Sequence, residues 1–257
     1  YVKDVTVVAG VANTTTSDTS GISDAVALAS AADTVILAVG TTLDNAAEGK
    51  DHVGVEFTQA QSQLIKEVAD AAERPIILVL FTANPLDLGD VLAHGNIGAV
   101  LHVGQPGANI GGVADLIFGE RVPAGRMVQT VYAKSYADQI SIFDFNMRPG
   151  VSDFPRPDCE LVDDVDSCER GTNPGRTYRF YVDEPVVEFG FGLSYTTFDY
   201  AVRGATAVDL SPVRAMVGGL KSSGKTFLPL GEQRGDMEGY IVEVTNSGEV
   251  DADEVVL

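Results

Sequence analysis

Positive charge is scarce in this chain. Its 257 residues carry 17 Lys and Arg against 37 Asp and Glu, a formal net charge of −20. A surface of that sign repels phosphate backbones and anionic headgroups, which argues against nucleic acid and anionic membrane surfaces as partners. Long hydrophobic runs are missing too: no apolar stretch approaches the ~20 residues that a membrane-spanning helix needs. No signal peptide is visible. Tyr1-Val2-Lys3 begins abruptly in a strand-like run and the last run stops mid-strand, so both ends read as cut. Cysteine is almost absent, with only Cys159 and Cys168. Nothing near them supplies two more ligands at zinc spacing, so no metal site is expected. No cofactor is expected either. The glycine-rich segment 104–112 follows a strand and opens a helix, yet it has neither Gly-x-Gly-x-x-Gly nor the Lys-Ser/Thr pair of a P-loop.

What is present is ordinary globular composition, 45% hydrophobic and 21% charged. That supports a sizeable core, in one large domain or one domain plus part of another. The most chemically loaded stretch is residues 32–66. Thr34 to Val39 is a β-branched apolar run closed by Gly40, and it reads as a buried strand. Residues 41–57 fit neither structural period and carry Asp44, Glu48, Lys50, Asp51, His52 and Glu56. From Thr58 the apolar positions Ala60, Leu64, Ile65, Val68 and Ala69 take helical spacing. A loop leaving the C-terminal end of a parallel strand is where open α/β sheets place ligand chemistry.

Around this centre the chain alternates. Residues 5–9 read as a strand. A helix is expected over about 22–31, capped by Ser20 or Ser23. The helix 58–72 is broken at Arg74-Pro75. The continuous apolar run 76–81 suits a strand buried on both faces. A short helix 88–93, a strand 99–102 and a helix 111–118 follow. The pattern predicts an α/β fold with a right-handed, doubly wound, mainly parallel sheet, 35–39 and 76–81 being central. Beyond residue 122 the character changes. A strand is possible at 128–132, an irregular loop is expected over 152–173 and a short strand over 178–181. Glycines alternate with aromatics over 189–195. From Phe198 only β structure is expected, with strands at 198–202 and 240–244 and a last run at 254–257.

Cys159 and Cys168 are either a local disulfide or two thiols. The eight residues between them make a closed loop short and geometrically easy, and a disulfide is predicted. Asn13-Thr14-Thr15 is a glycosylation sequon in a polar loop. Together with the cysteine pair it points to a secreted, extracellular protein.

Several blocks, in order, resemble glycoside hydrolase family 3, especially its β-xylosidases and β-glucosidases. Glu48-Gly49-Lys50-Asp51-His52 resembles the family's Glu-Gly-x-Asp-Arg loop, with Gln61 to Ile65 on the next helix. Thr82-Ala83-Asn84-Pro85-Leu86-Asp87 resembles its Asn-Gly-Gly-Pro-Val-Asp. Gly104-Gln105-Pro106-Gly107, Gly111-Gly112 and Asp115-Leu116-Ile117-Phe118-Gly119 resemble a further block. So do Pro123-Ala124-Gly125-Arg126, Asn146-Met147-Arg148-Pro149, Pro174-Gly175-Arg176-Thr177-Tyr178-Arg179-Phe180-Tyr181 and the 189–198 stretch. Each block alone is weak, but the ordered set is specific and covers nearly the whole chain.

The resemblance implies a three-part parent: a barrel, an α/β/α sandwich and a fibronectin-III-like β-sandwich. Residues 1–135 would be the α/β sandwich domain, 136–197 a linker and junction, and 198–257 the start of the fibronectin-III-like domain. The barrel, which carries the family's nucleophilic Asp, would be the missing N-terminal partner. The implied activity is retaining exo-hydrolysis of terminal β-xylosyl or β-glucosyl residues, with a carbohydrate as substrate. Such enzymes set two carboxyl groups about 5–5.5 Å apart across the scissile bond. The acid/base is expected from the 44–51 loop, which should line a cleft facing the barrel, sharing one concavity with Asn84 and Gly104. Here the pattern departs. Xylosidase-like relatives read Glu-x-Glu-Gly-x-Asp-Arg, and the first Glu is the usual acid/base; in this chain its place is Ala46, and the closing Arg is His52. Glu48 is therefore the acid/base candidate and Asp44 the fallback. Asp51, His52 and Asn84 are the substrate-binding candidates. The alternative is a non-catalytic extracellular glycoprotein that uses the glycosidase scaffold as a structural or carbohydrate-binding module.

Overall fold

Residues 76–81, Ile-Ile-Leu-Val-Leu-Phe, have no polar side chain to turn towards water. In the computed structural model they form the middle strand of a three-stranded parallel sheet. The structure describes residues 2–52, 54–108, 110–157, 159, 168–203, 211–224 and 241–257. The sheet runs β1 (Ile36–Gly40), β2 (Ile76–Phe81), β3 (Ile97–His102) in sequence order, so β1, expected to be buried and central, is an edge strand among the described residues, with Ile36 exposed. Ile36 stands opposite Ile77 and Gly40 opposite Phe81; Leu78 pairs with Val100 on the other side. Ile76, Leu78, Val79 and Leu80 are all buried, as a strand covered on both faces requires.

Two helices supply much of that cover. α1 (Ile22–Ala31) buries Ile22, Ala25 and Ala29, and α2 (Gln59–Ala71) buries Ala60, Leu64, Ile65, Val68 and Ala69. Their apolar stripes pack into one core with β1 and β2. Each fully buried Leu, Ile or Val there contributes about 1.5–3 kcal/mol. The Thr58 hydroxyl accepts the Gln61 N–H and fixes the start of α2. α1 starts instead at Gly21 without a side-chain cap; neither Ser20 nor Ser23 fills that place. α3 (Gly89–Ala93) follows β2 and α4 (Gly111–Ile117) follows β3. The α/β class expected from the alternation is what the chain adopts.

Several local expectations are corrected. Residues 5–9 pair with no described strand, and Val5 and Val7 stay 71% and 86% exposed. Alternating apolar residues make a strand only when a neighbouring edge accepts their hydrogen bonds. Residues 128–132 yield one isolated bridge, Val131 to Val187. The 152–173 region, expected to be irregular, is bounded by an antiparallel pair, β4 (Gly150–Pro155) and β5 (Arg170–Asn173). Residues 160–167 of that stretch lie outside the described residues. Cys159 and Cys168 are joined in a disulfide, with Cα atoms 6.0 Å apart. α5 (Lys134–Ala137) is short, and α6 (Thr177–Phe180) is a helical turn where a strand was expected.

The chain divides into two units, residues 1–193 with 255–257, and residues 194–254. In the second, β6 (Phe198–Arg203) pairs antiparallel with β7 (Ile241–Asn246), Phe198 opposite Asn246. Tyr240, expected to open that strand, lies outside the described residues. The expectation of β structure alone fails here, because α7 (Ser211–Ser223) is a helix. Val213, Met216, Val217 and Leu220 recur at helical spacing and carry it. Residues 254–257, read as a final strand, have no strand partner among the described residues.

Candidate active site

The charged loop leaves the C-terminal end of β1 at Gly40. There φ is +149°, and a Cβ would lie 1.8 Å from the Phe81 carbonyl oxygen, so no side chain fits. Gln61, buried on α2, clasps this residue. Its Oε1 accepts the Gly40 N–H at 2.9 Å, and its Nε2 donates to the Gly40 carbonyl at 3.0 Å and to the Thr14 carbonyl at 3.1 Å. The next residue, Thr41, shares a 2.7 Å hydroxyl bond with Thr82 at the end of β2. Thus the loop root is welded to two strands and a helix.

Buried Asn45 organises the first turn. Its Oδ1 accepts the Thr42 N–H at 3.0 Å and the Thr14 hydroxyl. Ala46 is half-buried, its N–H donating to the Thr42 carbonyl at 3.2 Å. Ala47 and Lys50 then pair with each other through two 2.9 Å backbone bonds. Glu48 and Gly49 form the tip between them, Gly49 with φ +74°. The Lys50 ammonium folds back onto the Asp44 carbonyl. At the far foot, the Asp87 N–H donates to the Val55 carbonyl. The Asp87 carboxylate in turn accepts the Gly89 N–H at 2.8 Å and the Lys134 N–H at 2.7 Å. Glu56 pairs with the Lys134 ammonium at 3.4 Å, a structural use for one loop carboxylate.

The structure gathers Asp44, Glu48, Asp51 and His52 on this one loop. The three carboxylates are exposed and His52 is half-buried. Asn84 stands at the end of the neighbouring strand, its N–H held by the Thr82 hydroxyl at 3.1 Å. A shallow concavity of about 270 Å³ opens beside the loop root. Thr41, Thr42, Gln61, Thr14 and Phe81 line it, whereas Asp44, Glu48, Asp51, His52, Asn84 and Gly104 do not. Asn13 lies at its rim, exposed, with Oδ1 accepting the Thr15 N–H at 3.0 Å.

Elsewhere in the fold, polar and aromatic side chains are taken up in packing. His94 bonds Asp70 at 3.1 Å and accepts the Asn96 N–H at 3.2 Å. Arg176 donates to the Asp144 carbonyl and the Thr177 N–H to the Tyr132 hydroxyl at 2.7 Å, so this segment is tied to residues 132 and 144. Tyr132 stacks on Tyr136 at 4.0 Å, with Tyr181 edge-on at 4.9 Å. Burial within this cluster pushes the Tyr136 hydroxyl up to about 12. The Asn146 N–H, with help from Ser152, Asn173 and Arg176, holds the Asp144 carboxyl below its usual range. Sequence reasoning missed Thr14, Asn45 and Asp144. They sit in polar stretches with no period, and only their distant partners reveal them. Among the described residues no three His, Cys, Asp or Glu side chains gather as a metal site. No helix among them is long and apolar enough to cross a membrane.

A carboxylate-bearing loop at the C-terminal edge of a parallel sheet, rigid at its root and exposed at its tip, defines an α/β module that presents acidic groups to a surface. Residues 2–195 match the model of the glycosyl hydrolase family 3 C-terminal domain. The chain belongs to glycosyl hydrolase family 3, through that domain. It is similar to "Probable beta-D-xylosidase 6" of Arabidopsis thaliana, 32% identical over 275 aligned positions that cover 100% of this chain and 32% of the relative. It is also similar to the exo-1,4-β-xylosidase bxlB of Emericella nidulans, 37% identical over 184 residues, 70% of this chain and 21% of that protein. Among solved structures it resembles a family 3 exo-β-xylosidase held in complex with a xylobiose aziridine activity-based probe. That match has TM-score 0.64 and 32% identity, and covers 76% of this chain and 23% of the other. The chain thus spans a third or less of the length of these relatives.

Proposed function

We propose that this chain is the C-terminal part of a secreted, retaining exo-β-glycosidase that removes terminal β-xylosyl residues, or β-glucosyl residues, from a carbohydrate. The observation that carries the reading is similarity along the full chain to a protein named as a probable β-D-xylosidase, beside a loop that closes at Ala47–Lys50 with a carboxylate at its tip. In this reading residues 1–135 are the α/β sandwich domain and 136–197 the linker. Residues 198–257 begin a fibronectin-III-like domain. An N-terminal barrel of the same polypeptide supplies the nucleophilic Asp. Glu48 is the acid/base: it is an exposed carboxylate at the tip of the Ala47–Lys50 turn, and a methyl group at position 46 delivers no proton. Asp44 is the fallback. Asp51, His52 and Asn84 contact the sugar. Asn13 carries an N-linked glycan, in keeping with its exposed Asn-x-Thr turn.

The departures at Ala46 and His52 favour a second reading, a non-catalytic extracellular glycoprotein that binds carbohydrate on the same scaffold. Turnover by the whole parent protein decides between them. Glu48→Gln is expected to lower kcat on an alkyl β-xyloside by roughly 10²–10⁴-fold, the scale of general acid catalysis. The loss should be smallest on substrates whose acidic leaving group needs little protonation. Unchanged turnover of the alkyl glycoside excludes Glu48 and moves the role to Asp44. A parent that hydrolyses no activated aryl glycoside replaces the enzyme reading with the binding one.

A further inference from the structure

Thr14 lies far upstream of the charged loop, yet it meets two residues of that loop and one of α2. Its single hydroxyl proton goes to Asn45 Oδ1. That leaves its oxygen to accept from the Thr42 hydroxyl at 2.9 Å. The Thr42 oxygen then accepts the Asp44 N–H at 3.3 Å. The Thr14 carbonyl receives Gln61 Nε2 at 3.1 Å, from the same amide that clasps Gly40. With one proton per hydroxyl, these bonds run in one direction only: Asp44 N–H to Thr42, Thr42 to Thr14, Thr14 to Asn45. Asn45 closes the circuit by accepting the Thr42 N–H.

We propose that Thr14 is a positioning residue for the carboxylate-bearing loop, fixing through Thr42 and Asn45 the root from which Glu48 is presented. The inference rests on the enzymatic reading above. Among the described residues no hydrogen bond ties Glu48 to the root, so its place follows from the root and from Lys50, which ties the tip back to Asp44. Replacing the Thr14 hydroxyl with a methyl removes an atom that two bonds of the circuit share. The backbone need not change. Asn13 and Thr15 remain, so the sequon survives and any glycan is retained.

The test uses the whole parent protein with Thr14→Val and Thr14→Ser, assayed on 4-nitrophenyl β-xyloside and on methyl β-xyloside. Displacing a proton donor from its leaving oxygen by about an ångström costs up to ~10²-fold in rate. Thr14→Val is therefore expected to lose roughly 10- to 100-fold in kcat on the methyl glycoside but under about twofold on the nitrophenyl one, whose leaving group needs no acid. Thr14→Ser keeps the hydroxyl and should stay within about twofold of wild type on both. Equal losses on both substrates, or a Ser variant as impaired as Val, overturn the proposal and leave Thr14 merely structural. If Thr14→Val does not fold, exposed Thr42→Val, which removes the next hydroxyl of the same chain, decides: a loss confined to the methyl glycoside supports the proposal, and equal or no losses on both substrates overturn it. Failure of the enzymatic reading looks different: the wild-type parent is then inert on nitrophenyl xyloside, and the proposal falls with it.

Discussion

Gln61→Met tests whether the loop root depends on one buried amide. Gln61 is 3% exposed, and its side chain accepts from Gly40 and donates to the Gly40 and Thr14 carbonyls. Methionine keeps the length and most of the volume, so the change removes hydrogen bonds with little loss of packing. The Gly40 N–H and carbonyl are left without this partner at the end of an edge strand. Each buried polar group so orphaned costs about 1–3 kcal/mol, which puts the total near ~3 kcal/mol. For a unit of this size each kcal/mol shifts Tm by about 2–4 °C, so the variant should melt roughly 6–12 °C lower. Thermal unfolding by circular dichroism measures the shift, and amide exchange at Gly40 should accelerate with it. A drop under ~2 °C with Gly40 exchange unchanged refutes the argument, because it means that water satisfies Gly40 as well as Gln61 does.

Two further outcomes concern residues 144 and 159–168. Asp144 has a folded pKa below its usual value of 3.8, so the stability it adds is present above that pH and is lost as pH falls through the lowered native value. Asp144→Asn should therefore show a smaller fall in Tm than wild type between about pH 4 and 2; parallel pH profiles would refute this. Reduction of the Cys159–Cys168 bond reopens a short loop and should cost about 2–3 kcal/mol in the chain-entropy picture, read as a lower Tm with reductant; no change would refute it.

The elements legible from the sequence were those whose side chains dictate one answer. The 76–81 run has no polar face, so it had to be a doubly covered strand. The spacing of Leu64, Ile65, Val68 and Ala69 fits one face of α2 and no strand. Residues 5–9 misled because alternation says nothing about whether a partner edge exists. Residues 178–181 misled because four aromatic and basic residues are too few to carry a period, while Gly175, with φ +87°, and Thr177, with φ +64°, set the turn. α7 was legible at Val213, Met216, Val217 and Leu220, but an expectation of β structure throughout passed over it. At the site, the chemical types of Asp44, Glu48 and Asp51 were visible, and their carrier loop with them. The hold exerted by Thr14, Asn45 and Gln61 was not, since it links positions far apart in the chain through polar groups that have no pattern.

The loop is fastened at both feet, by Asn45 at one end and the Asp87–Val55 bond at the other, and its tip closes on itself. Its first turn and its tip are therefore held by local pairs between two anchor points. A protein engineer can treat residues 46–54 as a cassette, swapped between scaffolds that retain Gly40, Asn45, Gln61 and Asp87, with the sheet beneath left unaltered. Diversity introduced there should spread across the presented surface without a matching loss of folding yield. The same changes placed a few residues upstream, where no side chain fits at position 40, would reach the sheet itself.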